Sequence, residues 1–338
     1  MSTNQTTKIP FKECNADICP YDQSYYLYRI DLVPNALFAA LFGLSLISFL
    51  LTFLLTRRGA TFTTAMILGL ICEILGYTGR IMSWNNQWGE TGFLMQICCL
   101  TIAPAFLAAG IYLCIRKIVF TFGPENSRIP PVYYTRIFIP CDIVSLILQA
   151  TGGALASVAS HKQESTKTGD DIMIAGLAFQ VFTLAIFILL CLDFVFNTLK
   201  RQKALGKEAL DQDPRIAAIR GSIMFKGFLL ALGVSTITIF MRCVFRVIEL
   251  SGGWEGPIMA KQGLFIGFEG VLISIAVLVL NFFHPSVCFK HLMGTKHNFK
   301  FWAKKSGGTP TKEAEKTEAV APSVMEAQSG NASETDRV

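Results

Sequence analysis

The amino-acid sequence predicts an all-α, polytopic membrane protein of seven transmembrane helices, with its N-terminus outside and its C-terminus cytoplasmic. Three observations carry that prediction. Seven apolar segments of spanning length divide the chain, Lys and Arg are shared unevenly between the loops, and 52% of the 338 residues are hydrophobic against 16% charged. A water-soluble domain of this size could not bury so many apolar runs. Backbone groups in lipid must be satisfied internally, so the spans are helices.

The elements follow in order. Residues 1–32 are polar and lack the apolar core of a cleavable signal, so span 1 (33–55) is expected to be the first targeting signal. This outer segment holds Asn4-Gln5-Thr6, an N-glycosylation acceptor. It also holds Cys14 and Cys19, with four residues between them, which either close a small disulfide loop or remain free thiols. The remaining spans are expected at 61–84, 92–114, 137–160, 172–196, 222–249 and 263–283. Each is long enough for a hydrocarbon core of ~30 Å at ~1.5 Å per residue. The transmembrane domain is thus 33–285 and the cytoplasmic tail 286–338. Within the tail, basic side chains alternate with Phe289, Leu292, Met293, Phe299, Phe301 and Trp302. That stretch suits either a segment lying on anionic lipid or a plain basic stop. Beyond Ser306 there is no apolar periodicity, and disorder is expected. A second acceptor, Asn331-Ala332-Ser333, is expected to be cytoplasmic and unmodified.

Charge sets the orientation. The loops after spans 1, 3 and 5 together with the tail carry twenty Lys and Arg, and the opposite face carries six. The positive-inside rule then places the tail in the cytoplasm. The net charge of +6 is a topology signal, and no nucleic-acid partner is implied.

Polar residues inside the spans mark where function should lie, because they are costly in lipid and face an interior or a watery cavity. Counting ~1.5 Å per residue from the cytoplasmic face, Glu73 and Gln149 come at roughly 18 Å and Glu269 at roughly 20 Å. Asp142, Asp193 and Lys226 fall below that level, and Arg80, Arg242, Arg246 and Glu249 above it. Glu73 and Arg80 share a helix face, as do Asp142 and Gln149, while Arg242 and Arg246 are an i,i+4 pair. Two midplane carboxylates without a base at their own level suit a titrating pair or an amine-binding site. Ion pairs that merely lock helices together are the alternative. Small residues point to close packing: Gly263 and Gly267 form a GxxxG, Gly152 and Gly153 follow Gln149, and Ala103, Ala105, Ala108, Ala109 and Gly110 crowd span 3. Pro104 is expected to kink span 3 and free a carbonyl.

Absent motifs narrow the function. There is no Gly-x-x-x-x-Gly-Lys-Ser/Thr for ATP-driven pumping. His161, His284, His291 and His297 all lie away from the midplane, against an intramembrane zinc hydrolase. Span 7 has no interior Lys for a retinal Schiff base. No cofactor, metal or enzymatic reaction is expected. A seven-helix layout with its N-terminus outside leaves sensing open, although Asp/Glu-Arg-Tyr and Asn-Pro-x-x-Tyr are both missing.

At these polar residues the chain resembles the fungal lipid-translocating exporter family, which includes resistance proteins and a sphingoid long-chain base exporter. The resemblance rests on Glu73-Ile-Leu-Gly76-Tyr77-Thr-Gly-Arg80, Ala103-Pro104-Ala105 with Ala108-Ala109 and Tyr112, and Asp142 with Gln149-Ala-Thr-Gly152-Gly153. It continues through Arg242-Cys-Val-Phe-Arg246-Val-Ile-Glu249, Glu269 and His284-Pro285. One departure stands out: the family often has an Asp late in span 7, where this chain has Asn281. The resemblance implies export or flipping of amphipathic lipids such as sphingoid bases or phospholipids, often with resistance to toxic compounds. The plasma membrane is the implied address, with vacuole or endosome as the alternative. Glu73, Gln149 and Glu269 are expected to line a central site, while Arg80, Arg242 and Arg246 attract an anionic group nearer the outside. A seven-helix lipid sensor whose tail recruits a cytoplasmic partner is the second reading.

Overall fold

Seven helices among the described residues are long and apolar enough to cross a membrane. The computed structural model describes Cys14, Cys19 and residues 24–162, 164–206, 210, 213–252, 258–259 and 261–288. The Asn4 acceptor, the basic stretch from Phe289 to Trp302 and the Asn331 acceptor lie outside these. The spans are α1 (Leu32–Thr56), α2 (Ala60–Asn85), α3 (Glu90–Phe122), α4 (Pro131–His161), α5 (Lys167–Leu205) and α7 (Ile223–Ser251). Between the last two lies α6 (Pro214–Gly221), opened by Pro214 and capped by Asp213, whose side chain accepts from the Arg215 N–H at 2.9 Å. The seventh span (Gln262–Cys288) is composite. It consists of α8 (Gln262–Phe265), a π-helical turn (Ile266–Val271), α9 (Leu272–Phe282) and α10 (Pro285–Cys288).

Three helices overshoot their expected spans: α4 begins early, at Pro131, and α3 and α5 run further past theirs. α3 has 33 residues and α5 has 39. Hydropathy marks where apolar side chains stop, but a helix ends only at a breaker. After Phe196, α5 continues through residues that tolerate a helix until Gly206, which ends it at a positive φ of 62°.

The spans close in a ring. α1 packs on α2, α2 on α3, α3 on α4, α4 on α5, α5 on α7, α7 on α9 and α9 back on α1. α3 also meets α7 across the middle, which makes it the most buried helix. Phe42, Phe62, Leu107, Phe187, Phe228 and Val277 fill the core. Leu37, Leu44, Leu51 and Leu55 on α1 face outward, an arrangement that suits lipid and would be a liability in water.

Helices approach closely where glycine meets glycine. A Cβ on Gly79 would lie 2.7 Å from the Gly92 carbonyl, joining α2 to α3. One on Gly152 would lie 2.5 Å from the Met173 nitrogen and 2.6 Å from the Gly169 carbonyl, joining α4 to α5. Gly153 has only Met173 Sδ nearby, at 3.9 Å. The expected GxxxG contact in the seventh span is corrected: a Cβ on Gly263 or Gly267 meets nothing within 4 Å. That span packs through Phe265, Glu269, Gly270, Ile273 and Val277, and the two glycines lie off this face. Gly152→Ala should therefore lower stability by about 1–3 kcal/mol, because backbone must move. Gly263→Ala should change it by no more than about 0.5 kcal/mol, and thermal melting of both purified variants in detergent checks the contrast.

Candidate functional site

The polar centre starts from a proline. Without an N–H, Pro104 leaves the carbonyl of Leu100, one turn back on α3, without its helical donor. Arg242 of α7 supplies one: its Nη2 donates to the Leu100 oxygen. The same guanidinium grips Glu269, with Nη2 donating to Oε1 and Nε donating to Oε2 at 3.1 Å. Both side chains are essentially unexposed, at 1% and 0%. Glu269 sits within the π-helical turn, whose extra residue rotates the carboxylate toward α7.

This pairing corrects the expectation of midplane carboxylates without a base. Rise per residue put Arg242 well above Glu269. Side chains lean toward the N-terminus of their helix, however, and α7 and the seventh span run antiparallel. Arg242 and Glu269 therefore lean toward each other, and the length of the arginine covers the difference.

Glu73 of α2 is fully buried beside this pair, close enough to feel both Glu269 and Arg242. Neither of its oxygens has a hydrogen-bond partner, and the Tyr77 hydroxyl one turn on has none either. Two carboxyl groups thus lie near one guanidinium, which is bonded to Glu269 alone of the two.

Arg80 shares a helix face with Glu73 but serves a different structure. Its Nε donates to Asn35 Oδ1 at 2.8 Å and its Nη2 to the Tyr28 hydroxyl at 2.9 Å. Its guanidinium lies 3.9 Å from the centre of the Phe265 ring and 5.5 Å from that of Tyr26. Tyr26 in turn donates to Gln96 Oε1 at 2.8 Å and lies 2.9 Å from Ser83 Oγ. Burial pushes this phenol up to about 12, so it stays a donor at ordinary pH. Tyr25 stacks on Phe93 at 4.7 Å. Cys14 and Cys19 are joined in a disulfide that packs on Trp88 in the α2–α3 loop. The segment before α1 is thereby strapped across one end of the helix ring, a feature the sequence signalled only by its run of tyrosines.

The remaining candidates fall in other places. Arg246 pairs with Glu249 one turn on, yet its Nε and Nη2 are buried without partners. Gln149 turns to α5, where its Nε2 donates to Gln180 Oε1 at 2.9 Å. Asp142 of α4 and Tyr112 of α3 lie together, both buried, and neither closes a hydrogen bond of normal geometry. Asp193 is at the surface, paired with Arg128 at 2.8 Å. Lys226 is exposed.

An apolar groove of about 600 Å³ between α3, α5 and α7 was not foreseen. Ile111, Ile115, Phe187, Cys191, Leu232 and Gly233 are among its lining residues. Its rim includes Leu192, Leu199, Leu230 and Ile237, all exposed on the outer surface of the ring, so the groove opens sideways between α5 and α7.

A model of the family described as RTA1 like protein matches residues 66–292, which include Glu73, Pro104, Asp142, Arg242 and Glu269. The chain belongs to the RTA1-like family. It is 37% identical over 256 residues to the sphingoid long-chain base transporter RSB1 of Saccharomyces cerevisiae (strain Lalvin EC1118), covering 70% of this chain and 67% of that protein. It is 32% identical over 219 residues to protoporphyrin uptake protein 1 of S. cerevisiae (strain S288c), covering 64% of this chain and 67% of that one. Protein RTA1 of the same strain is 28% identical over 215 residues, covering 63% and 62%. No solved structure matches the chain. Seven spans and transporter relatives make this RTA1-like protein a multi-pass membrane protein. At the family departure, Asn281 Oδ1 accepts from the Ser48 hydroxyl at 2.8 Å, tying α9 to α1 without a charge.

The central knot predicts a graded mutant series, read as thermal melting of purified protein. Arg242→Met strands a buried carboxylate and should cost about 3–5 kcal/mol. Adding Glu269→Leu should restore most of that loss, since both charges are then gone. The Leu100 carbonyl remains orphaned, at about 1–3 kcal/mol. Adding Pro104→Ala returns a backbone N–H and should recover this remainder.

Proposed function

We propose that this RTA1-like protein moves amphipathic lipids with a long apolar chain, a sphingoid base being the model substrate, from one leaflet of its membrane to the other. The observation that carries this reading is the sideways-opening groove. A lipid can enter it from the bilayer without leaving apolar surroundings, and the lining of α5 from Phe187 to Gln202 runs about 22 Å at 1.5 Å per residue. That exceeds one leaflet's share, about 15 Å, of a hydrocarbon core of ~30 Å.

The polar groups then divide the work. The groove shelters the chain, and the buried carboxyls provide stations for a cationic head that lipid alone would reject. Glu73 is the group at the centre that stands free to take a proton or a passing amine, because Glu269 is held by Arg242. Gln149 with Gln180, and Arg246 with Glu249, extend polar contacts toward the end that carries the N-terminal strap. With the N-terminus outside, as the distribution of Lys and Arg favours, this strap covers the outer end. The chemistry is non-covalent, so no reaction is assigned. The transporter names of the relatives and the physical fit of the groove favour translocation over enzymatic action. Export across the plasma membrane and resistance to toxic amphiphiles follow from the same reading.

Gly233 supplies the test. It lines the groove and a Cβ there meets nothing within 4 Å, so a large side chain can fill the space without displacing the helix. In proteoliposomes, with a leaflet-selective quencher of a fluorescent sphingoid base, Gly233→Trp should slow transbilayer movement at least tenfold while melting is unchanged. Glu73→Gln should slow it by a comparable factor. Unchanged movement in Gly233→Trp would overturn the groove reading. Binding without movement in the wild-type protein would favour the lipid sensor.

A further inference from the structure

Asp142 is, with Glu73, a buried carboxylate that closes no hydrogen bond of normal geometry within the protein. It is 4% exposed, both oxygens lack a hydrogen-bond partner, and no ion pair involves it among the described residues. Its neighbours are Tyr112 of α3, whose buried hydroxyl lies within interacting range of the carboxyl without closing a hydrogen bond of normal geometry, and the Cys243 thiol of α7. Cys191 of α5 stands beside Tyr112. Arg242 is adjacent to Cys243 in sequence but is committed to Glu269 and the Leu100 carbonyl. A carboxylate stranded in this way invites a cation from outside, since an unpaired buried charge is far more costly than a paired one.

The apolar groove ends at Phe187, on the other side of which this pair lies. Ile111, which adjoins Tyr112 in the chain, lines the groove, and so do Phe187 and Cys191. Phe187 shows one side to the groove and packs its ring edge-on to Tyr112 at 4.6 Å and to Phe138 at 5.3 Å. It is thus the partition between an apolar slot and an unsatisfied acid.

We infer that Asp142 and Tyr112 form the head-group site for a primary amine whose chain lies in the groove, with Phe187 turning aside to admit it. The inference rests on the lipid-transport reading and assigns that reading its recognition site. An ammonium group has three donors, of which Asp142 takes one or two and the Tyr112 oxygen another. A neutral amide or alcohol head on the same chain cannot neutralise the carboxylate and should bind less well. Discrimination therefore resides at Asp142, while the groove provides affinity common to all long-chain ligands.

The experiment uses the full chain in nanodiscs. Binding is measured for a pyrene-labelled long-chain amino alcohol and for its N-acetylated form, which keeps the chain and loses the charge. The wild-type protein should prefer the free amine at least tenfold. Asp142→Asn should bind the two forms equally, with the affinity for the acetylated form unchanged. Asp142→Glu, which keeps the charge, should retain the preference, so a loss caused by misfolding is distinguishable from a loss of the head-group contact. Phe187→Ala should speed association of the amine several-fold without altering the preference. A preference that survives in Asp142→Asn, or one that is absent from the wild type, overturns the assignment while leaving the groove reading intact. Failure of the wild type to bind either form, or binding of both undiminished by Gly233→Trp, would instead overturn the groove reading itself.

Discussion

The contact between Arg242, Glu269 and the Leu100 carbonyl organises the rest of the bundle. It joins α7 to the seventh span and both to α3, the helix at the middle of the ring. Each member needs the others: the carbonyl is unpaired because of Pro104, the arginine is buried because the carboxylate is there, and the π-helical turn presents that carboxylate. In surroundings that cannot solvate a charge, such a group admits little displacement of any one helix.

The structure separates two kinds of buried polar residue. Arg242, Glu269 and Arg80 are satisfied by partners on other elements, as is the Nε2 of Gln149, and they fix helix positions. The Glu73 carboxyl, Gln149 Oε1 and the Nε and Nη2 of Arg246 are buried without partners, and Asp142 and Tyr112 close no hydrogen bond of normal geometry. Unpaired groups are costly in lipid, and on the proposed function the second set is the one available to a ligand, although both look alike in the sequence.

Legibility followed that same division. The seven spans were readable because hydropathy over some twenty residues is a strong local signal. Pro104 was readable as the source of a free carbonyl, because that consequence is confined to one helix. The taker of that carbonyl was not: Arg242 was placed too high, since rise along the axis says nothing about side-chain lean or helix tilt. Gln180, the partner of Gln149, and Tyr112, the neighbour of Asp142, needed the rotation of α3 and α5 to be known. The GxxxG at Gly263 and Gly267 misled because a spacing of four reports a shared face but not what that face meets. The groove left no sequence signature, as a gap between helices is built from the same Ile, Leu and Phe residues as a well-packed contact.

The strap before α1 bears on how the protein matures. Its anchors are spread over the chain: Asn35 on α1, Arg80 and Ser83 on α2 and Gln96 on α3, with Phe265 at the start of the seventh span stacked on the Arg80 that holds Tyr28. The segment before α1 thus waits for the seventh span before its docking surface is complete. A nascent or truncated chain ending before Phe265 would present Arg80 without the ring on which it stacks. The closed strap is in that respect a report that the first three spans and the seventh have come together.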